Sequence, residues 1–131
     1  IQYTYNVAMA LIEGSVNLLE IGIPFSDPVA DGPVIQRASQ RAISAGTTME
    51  DILWLVKKIR QQSEIPIILF SYLNPILASL KNDFFKRAKN AGVDGLLVVD
   101  CPIEESQLLD DACVENQLDL IYVITPSTPN N

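Results

Sequence analysis

A chain of 131 residues that is 48% hydrophobic has the material for one ordinary domain with a real core, which excludes a disordered tail. Its net charge of −7 and sequence pI of about 4.4 argue against nucleic acid and anionic membrane as partners, since both select a basic face. The longest apolar runs, 65–70 and 95–99, are strand-sized and far short of the roughly 20 residues of a membrane span, and no charged, apolar and small-residue leader is read at the start, so a secretory signal is not expected.

The first element reads as the end of a helix over 5–13, with Val7, Ala8, Leu11 and Ile12 on one apolar face and Gly14 as its stop. A strand follows over 16–23, then a loop over 24–33 punctuated by Pro, Ser, Asp and Gly. Gly32-Pro33 opens the next helix, where proline suits a first turn, and Gly46 closes it. Thr48-Met49-Glu50-Asp51 has the form of a capping box with Asp in the usual place of Glu. It starts a longer helix that turns Ile52, Leu55, Val56 and Ile59 inward and Lys57, Lys58 and Arg60 toward water. The second strand spans 65–72, a helix over 83–91 ends at Gly92, and the third strand spans 95–100. A helix over 104–116 carries Leu108, Leu109, Ala112 and Cys113 on its apolar face, a fourth strand covers 118–124, and 125–131 is a Pro/Thr/Asn-rich loop. Apolar strands alternating with helices predict a parallel sheet covered on both faces.

A weak internal echo aligns 14–24 with 92–102: helix stop, turn, Leu-Leu, strand, proline. It pairs Glu20 with Val98 and predicts that Glu20, Gly22, Val98 and Asp100 share the side of the sheet that faces a substrate. Neither a dinucleotide fingerprint nor a phosphate loop is present. The architecture is therefore a doubly wound sheet or part of a (β/α)8 barrel, and both place their sites at the strand C-termini. An acid in mid-strand favours the barrel.

The chain has no histidine, which excludes Ser-His and Cys-His nucleophile pairs and imidazole zinc sites. Cys101 and Cys113 form no disulfide framework or metal-binding pair, in keeping with a reducing compartment. Proton transfer at neutral pH then falls to Asp, Glu, Tyr, Lys or Cys, with carboxylates of raised pKa as the favoured candidates. Glu20 lies within an apolar strand, where it is expected to be sequestered from water with a raised pKa, and Asp31 follows eleven residues later in a loop. Such a pair can divide acid/base work. Each residue also has a plainer reading: Glu20 as an acid satisfied by a neighbour, Asp31 as a helix cap, Asp27 as an Asx turn before Pro28, and Asp100 as an orienting strand-end acid. Tyr72 reads as core or pocket wall, Cys101 as a small apolar filler, and Lys57, Lys58, Arg60, Lys86, Arg87 and Lys89 as solvated helix faces.

The run Leu-Glu-Ile-Gly-Ile-Pro-Phe-Ser-Asp-Pro-Val-Ala-Asp-Gly-Pro-Val-Ile-Gln over 19–36 resembles the signature of the tryptophan synthase α subunit family. The resemblance continues through Ile65-Pro66-Ile67, Tyr72-Leu73-Asn74, Gly92-Val93-Asp94-Gly95-Leu96-Leu97 and Asp100-Cys101-Pro102-Ile103-Glu104-Glu105-Ser106, in register along the chain. It implies a parallel (β/α)8 TIM barrel, of which this chain covers about four consecutive units. It also implies retro-aldol cleavage of indole-3-glycerol phosphate to indole and glyceraldehyde 3-phosphate. By position, Glu20 matches the family's general acid/base and Asp31 the acid facing the indole N–H. Phe70 and Tyr72 match the indole pocket, and Asp100 is added as a substrate-side acid. Asp27, Pro28, Asn74 and Pro75, the last two in a loop, match the surface that meets the β subunit. No cofactor or metal is expected in this chain. Pyridoxal phosphate is expected in the β partner of an α2β2 heterotetramer, and the location is cytoplasmic, or plastid in a plant.

A complete barrel takes around 250 residues. The expectation is thus of a single partial domain over 1–131, lacking the first strand, the C-terminal strands and the phosphate pocket. Two other readings stay open: an α-like subunit that only binds and activates its partner, and a metal-assisted barrel aldolase or lyase in which Glu20, Asp27, Asp31 and Asp100 hold Mg²⁺.

Overall fold

The computed structural model describes residues 1–126 and 128. Its helices are α1 (Gln2–Glu13), α2 (Pro33–Ser44), α3 (Met49–Arg60), α4 (Leu73–Ser79), α5 (Phe84–Ala91) and α6 (Gln107–Glu115). Its strands are β1 (Leu19–Gly22), β2 (Ile67–Ser71), β3 (Gly95–Val98) and β4 (Asp119–Ile121). Short 3-10 turns occupy Leu80–Asn82 and Ile103–Glu105. The strands form one sheet in chain order, every pair parallel.

One face of that sheet holds the core. Leu19, Ile21, Ile67, Leu69, Leu96 and Val98 are buried there with Leu55, Val56 and Ile59 of α3, Phe84 and Ala88 of α5, and Leu109 and Cys113 of α6. The other face carries the rows Glu20–Ile68–Gly95–Asp119 and Gly22–Phe70–Leu97–Ile121. Coverage of both faces, expected from the apolar strands, is not found: Glu20, Gly22, Asp119 and Ile121 are exposed on this second, largely open side. A curved sheet of four strands does not by itself enclose its inner surface.

Local chemistry explains the helix boundaries. The box at the start of α3 forms in full: the Thr48 side chain accepts from the Asp51 N–H, and the Asp51 carboxylate accepts from the Thr48 N–H at 2.9 Å. Gly32 is the N-cap of α2 with Pro33 in its first turn. Gly92 ends α5 at φ +99°, a backbone conformation that only glycine adopts freely.

Several expectations require correction. Strands are shorter than read. Helix α4 was missed because Asn74-Pro75 looks like a turn, yet both residues lie in the first turn of α4, where proline gives up no helical bond. The helix read over 104–116 breaks at Ser106 into a 3-10 turn and α6, and Leu108 is exposed on it. Val7 and Leu11 are exposed on α1, and α2 buries no residue. Arg60, assigned to a solvated face, is an inward pin. Its guanidinium donates to Gly92 O, Ser63 O, Ile65 O and the Asp94 carboxylate at 2.7–3.2 Å. The same Asp94 oxygen accepts the Ile67 N–H at 2.8 Å, which ties α3, β2 and the approach to β3 together at the N-terminal end of the sheet. Lys58 is half-buried over the rings of Tyr5 and Trp54, at 4.6 and 4.9 Å. Arg87 pairs with Glu50. The loop read over 125–131 lies, at 127 and 129–131, outside the described residues.

Candidate active site

The strand C-termini meet around a cavity of about 250 Å³ lined by Gly22, Ile23 and Pro24 after β1, Asp31 before α2, Phe70 and Tyr72 at the end of β2, and Ile35, Ala38, Ser39 and Ala42 of α2. Parallel sheets collect function at this end because the loops that leave it are free to vary. Gly22 has no side chain, so this wall stays open: a Cβ placed there would only touch Phe70, at 4.0 Å. Phe70 faces the opening and is half-buried.

Asp31 and Tyr72 are hydrogen-bonded. The Tyr72 hydroxyl donates to Asp31 Oδ2 at 3.0 Å and accepts from the Ala30 N–H at 2.9 Å. Burial of the ring and the Asp31 carboxylate both push the Tyr72 phenol above its ordinary range, so it remains a neutral donor. Phe25 packs on the same ring, centroids 5.2 Å apart. The Asp31 backbone carbonyl accepts from the Gln36 amide at 2.9 Å, so the loop is held on both sides of this acid. The predicted grouping of Asp31, Phe70 and Tyr72 is therefore found, together with a link from tyrosine to acid that the spacing alone could not reveal.

Glu20 is placed differently from the expectation. It lies on the same face as Gly22, one step back along β1, but it is exposed, not sequestered. It sits on the edge strand and borders a cavity of about 510 Å³ that Tyr3, Val7 and Leu11 of α1 and Ala38 and Arg41 of α2 also line. The echo also set the wrong parity for the third strand. Gly95 lies in the row of Glu20, and Leu97 in the row of Gly22, whereas Val98 is buried on the helix face. Asp100 does not join that row; it is exposed beyond β3, and its carboxylate accepts the Leu73 N–H at 2.7 Å, capping the first turn of α4.

Asp27 and Asn74 are exposed and Pro28 and Pro75 half-buried, in segments that leave β1 and β2 at the same end of the sheet. The Asp27 carboxylate accepts from the Ser26 hydroxyl, and its carbonyl accepts the Val29 N–H. A further polar group, missed in the sequence, joins Tyr122, just after β4, to the start of α6. The Ser106 hydroxyl donates to Asp110 at 2.6 Å, and the Tyr122 hydroxyl bonds the other oxygen of the same carboxylate. These two bonds hold the Asp110 carboxyl below its ordinary range. Burial, then the neighbouring acids, pushes the Cys101 thiol up, as suits an inert filler. Among the described residues no group of three or more His, Cys, Asp or Glu side chains could hold a metal ion. Among them, too, no helix is long and apolar enough to cross a membrane.

Comparison with known proteins gives one consistent result. The family model described as tryptophan synthase alpha chain matches residues 1–131. A tryptophan synthase alpha chain from Coxiella burnetii (strain CbuK_Q154) is 55% identical over 120 residues, 92% of this chain and 46% of that protein. One from Halalkalibacterium halodurans is 47% identical over 128 residues, 97% and 48% of the two chains. Among solved structures, tryptophan synthase subunit alpha from Legionella pneumophila matches with a TM-score of 0.94 at 38% identity, over 98% of this chain and 50% of the other. A tryptophan synthase complex from Pyrococcus furiosus matches at 0.91 and 39% identity, over 98% and 52%. The chain thus spans about half the length of the relatives it matches, and its parallel sheet with alternating helices is a segment of their (β/α)8 barrel.

Proposed function

We propose that this chain, which belongs to the tryptophan synthase alpha chain family, contributes part of an indole-releasing site as part of a single barrel domain. The substrate is indole-3-glycerol phosphate, and the reaction is its cleavage to indole and glyceraldehyde 3-phosphate. The observation that carries this reading is the convergence of Asp31, Tyr72, Phe70 and the bare Gly22 wall on one cavity at the strand C-termini. An aromatic wall and an anchored carboxylate suit a flat, apolar ring with one N–H.

In the proposed chemistry Glu20, as the acid, delivers a proton to indole C3, and the ring becomes a cation with its charge toward nitrogen. Asp31 accepts the ring N–H and supports that charge. The Glu20 carboxylate then takes the proton of the hydroxyl on the adjoining carbon. The C3–C bond breaks, its electron pair returns to the ring, and indole and the aldehyde separate. A carboxyl does both jobs only where water is excluded, because burial brings its pKa toward neutrality. Closure of an eight-stranded barrel over the inner face of the sheet would provide that exclusion for Glu20.

Asp27, Pro28, Asn74 and Pro75 are proposed to meet a β subunit in an α2β2 assembly. That subunit would carry pyridoxal phosphate and consume the indole, and no residue of this chain is assigned to the cofactor. A cytoplasmic or plastid setting follows from the biosynthetic role. Asp100 is assigned to support of α4 and the pocket wall, with substrate contact as its second part.

The second reading is an α-like subunit that activates its partner without catalysis. Glu20→Gln and Asp31→Asn separate the two when indole release is measured beside partner activation. A catalytic subunit loses release by about 10²–10⁴-fold for the acid/base variant while activation persists. Indole release at the parental rate in both variants would refute the assignment.

A further inference from the structure

We infer that Tyr72 is a positioning residue, whose hydroxyl clamps the N–H of the Val29–Ala30 peptide and one oxygen of Asp31 so that the other oxygen is presented to the cavity at a fixed angle. This deepens the reading above and rests on Asp31 being the acceptor for the substrate's N–H.

The proton count carries the argument. A phenol has one proton and can accept as well as donate. The Ala30 N–H can only donate, so at 2.9 Å the Tyr72 oxygen accepts there. Its single proton is then directed to Asp31 Oδ2, 3.0 Å away. No other described group bonds the Asp31 carboxylate, and Oδ1 is left for a ligand. The clamp spans 41 residues of sequence.

Tyr72 is itself fixed. The residue is 2% exposed and its ring packs against Phe25. Its carbonyl accepts from the Ser71 hydroxyl at 2.8 Å, and the next N–H, of Leu73, is held by Asp100. The acid loop, by contrast, is exposed at Ser26, Asp27, Val29, Ala30 and Gly32. The rigid partner therefore orients the exposed one. A flat N–H donor needs an acceptor in its own plane, and a carboxylate free to rotate would meet it off-axis in most orientations. The Tyr72 phenol, pushed up by burial and by Asp31, does not lose its proton near neutrality and break the clamp.

The test uses Tyr72→Phe, which keeps the ring and removes the hydroxyl, in the subunit assembled with its partner. Indole release should fall about tenfold to hundredfold in kcat, the range of one charge-assisted hydrogen bond, with KM changed less than about twofold. Amide exchange at Ala30 should speed up, because its acceptor is gone. In the reciprocal experiment, which needs no catalysis, Asp31→Asn should lower the titration midpoint of Tyr72 followed by ¹³Cζ-tyrosine NMR. Unchanged kcat in Tyr72→Phe would overturn the inference and leave the proposed function standing. If the parent releases no indole, the proposed function fails and the NMR arm decides the clamp: an unmoved Tyr72 midpoint in Asp31→Asn overturns it.

Discussion

Replacing Arg60 with methionine should cost the folded state about 2–4 kcal/mol. The figure comes from the acceptors it leaves behind. Three backbone carbonyls, those of Ser63, Ile65 and Gly92, lose a charged donor, and the Asp94 carboxylate loses its cation. Hydrogen bonds to charged groups contribute about 1.5–3 kcal/mol each when fully desolvated. The Arg60 side chain is 19% exposed and that of Asp94 45%, so water recovers part of the loss and Asp94 keeps the Ile67 N–H. Roughly 1 kcal/mol per carbonyl, with little added for the exposed ion pair, gives the stated range. Methionine retains most of the apolar stem, so packing is nearly held constant. The assay is equilibrium urea unfolding with matched m-values, beside a thermal scan in which 3 kcal/mol corresponds to about 10 °C for a chain of this size. Lys57→Met on the exposed face of the same helix is the control and should stay within about 0.5 kcal/mol. Arg60→Lys should recover only part of the loss, because an ammonium cannot span the carbonyls as a planar fork does. If Arg60→Met unfolds within about 0.5 kcal/mol of the parent, the picture of an inward pin is wrong.

Three further outcomes follow from the same structure. A Cβ at Gly95 would lie 2.7 Å from Asp119 O, a backbone atom that cannot swing aside, so Gly95→Ala should part β3 from β4 and cost about 1–3 kcal/mol by urea titration. Cys113 is buried and its thiol is pushed up to about 11, so iodoacetamide at pH 8 should label it only as fast as the protein opens, and prompt labelling of the folded chain would contradict its burial. Asp51 is lowered by the Thr48 hydroxyl and then the Thr48 N–H, and Asp110 by Ser106 and then Tyr122. A carboxylate depressed in the folded state adds stability that is complete above its unfolded value and is lost as pH falls through the folded one. Stability should therefore decline in acid below the ordinary aspartate range, and Asp51→Asn and Asp110→Asn should each flatten that decline.

What could be read from the sequence depended on how local its cause was. The Thr48–Asp51 cap, the Gly92 stop and the inward stripe Ile52, Leu55, Val56 and Ile59 each arise within a turn or two of helix, and all are found. The pairing of Phe70 and Tyr72 with Asp31 followed from family likeness, and the structure brings those side chains to one cavity. The parity of β3 was not legible. Gly-Leu-Leu-Val is apolar on both faces, so alternation gives no signal, and matching Leu-Leu pairs moved Val98 into the row of Glu20. Arg60 was misread because its acceptors lie up to 34 residues away, and nothing in a helical face distinguishes a solvated arginine from one that reaches under the sheet. Asp100 and Tyr72 acquired their partners in the same non-local way.

The clamp of Arg60 on Asp94 and the cavity beside Asp31 occupy opposite ends of the β-strands. That separation has a practical meaning for engineering. Substitutions that tighten the arginine end can raise heat tolerance without disturbing the acid that meets a ligand, and randomised loops at the other end can be screened for new turnover on a frame whose resilience is set elsewhere.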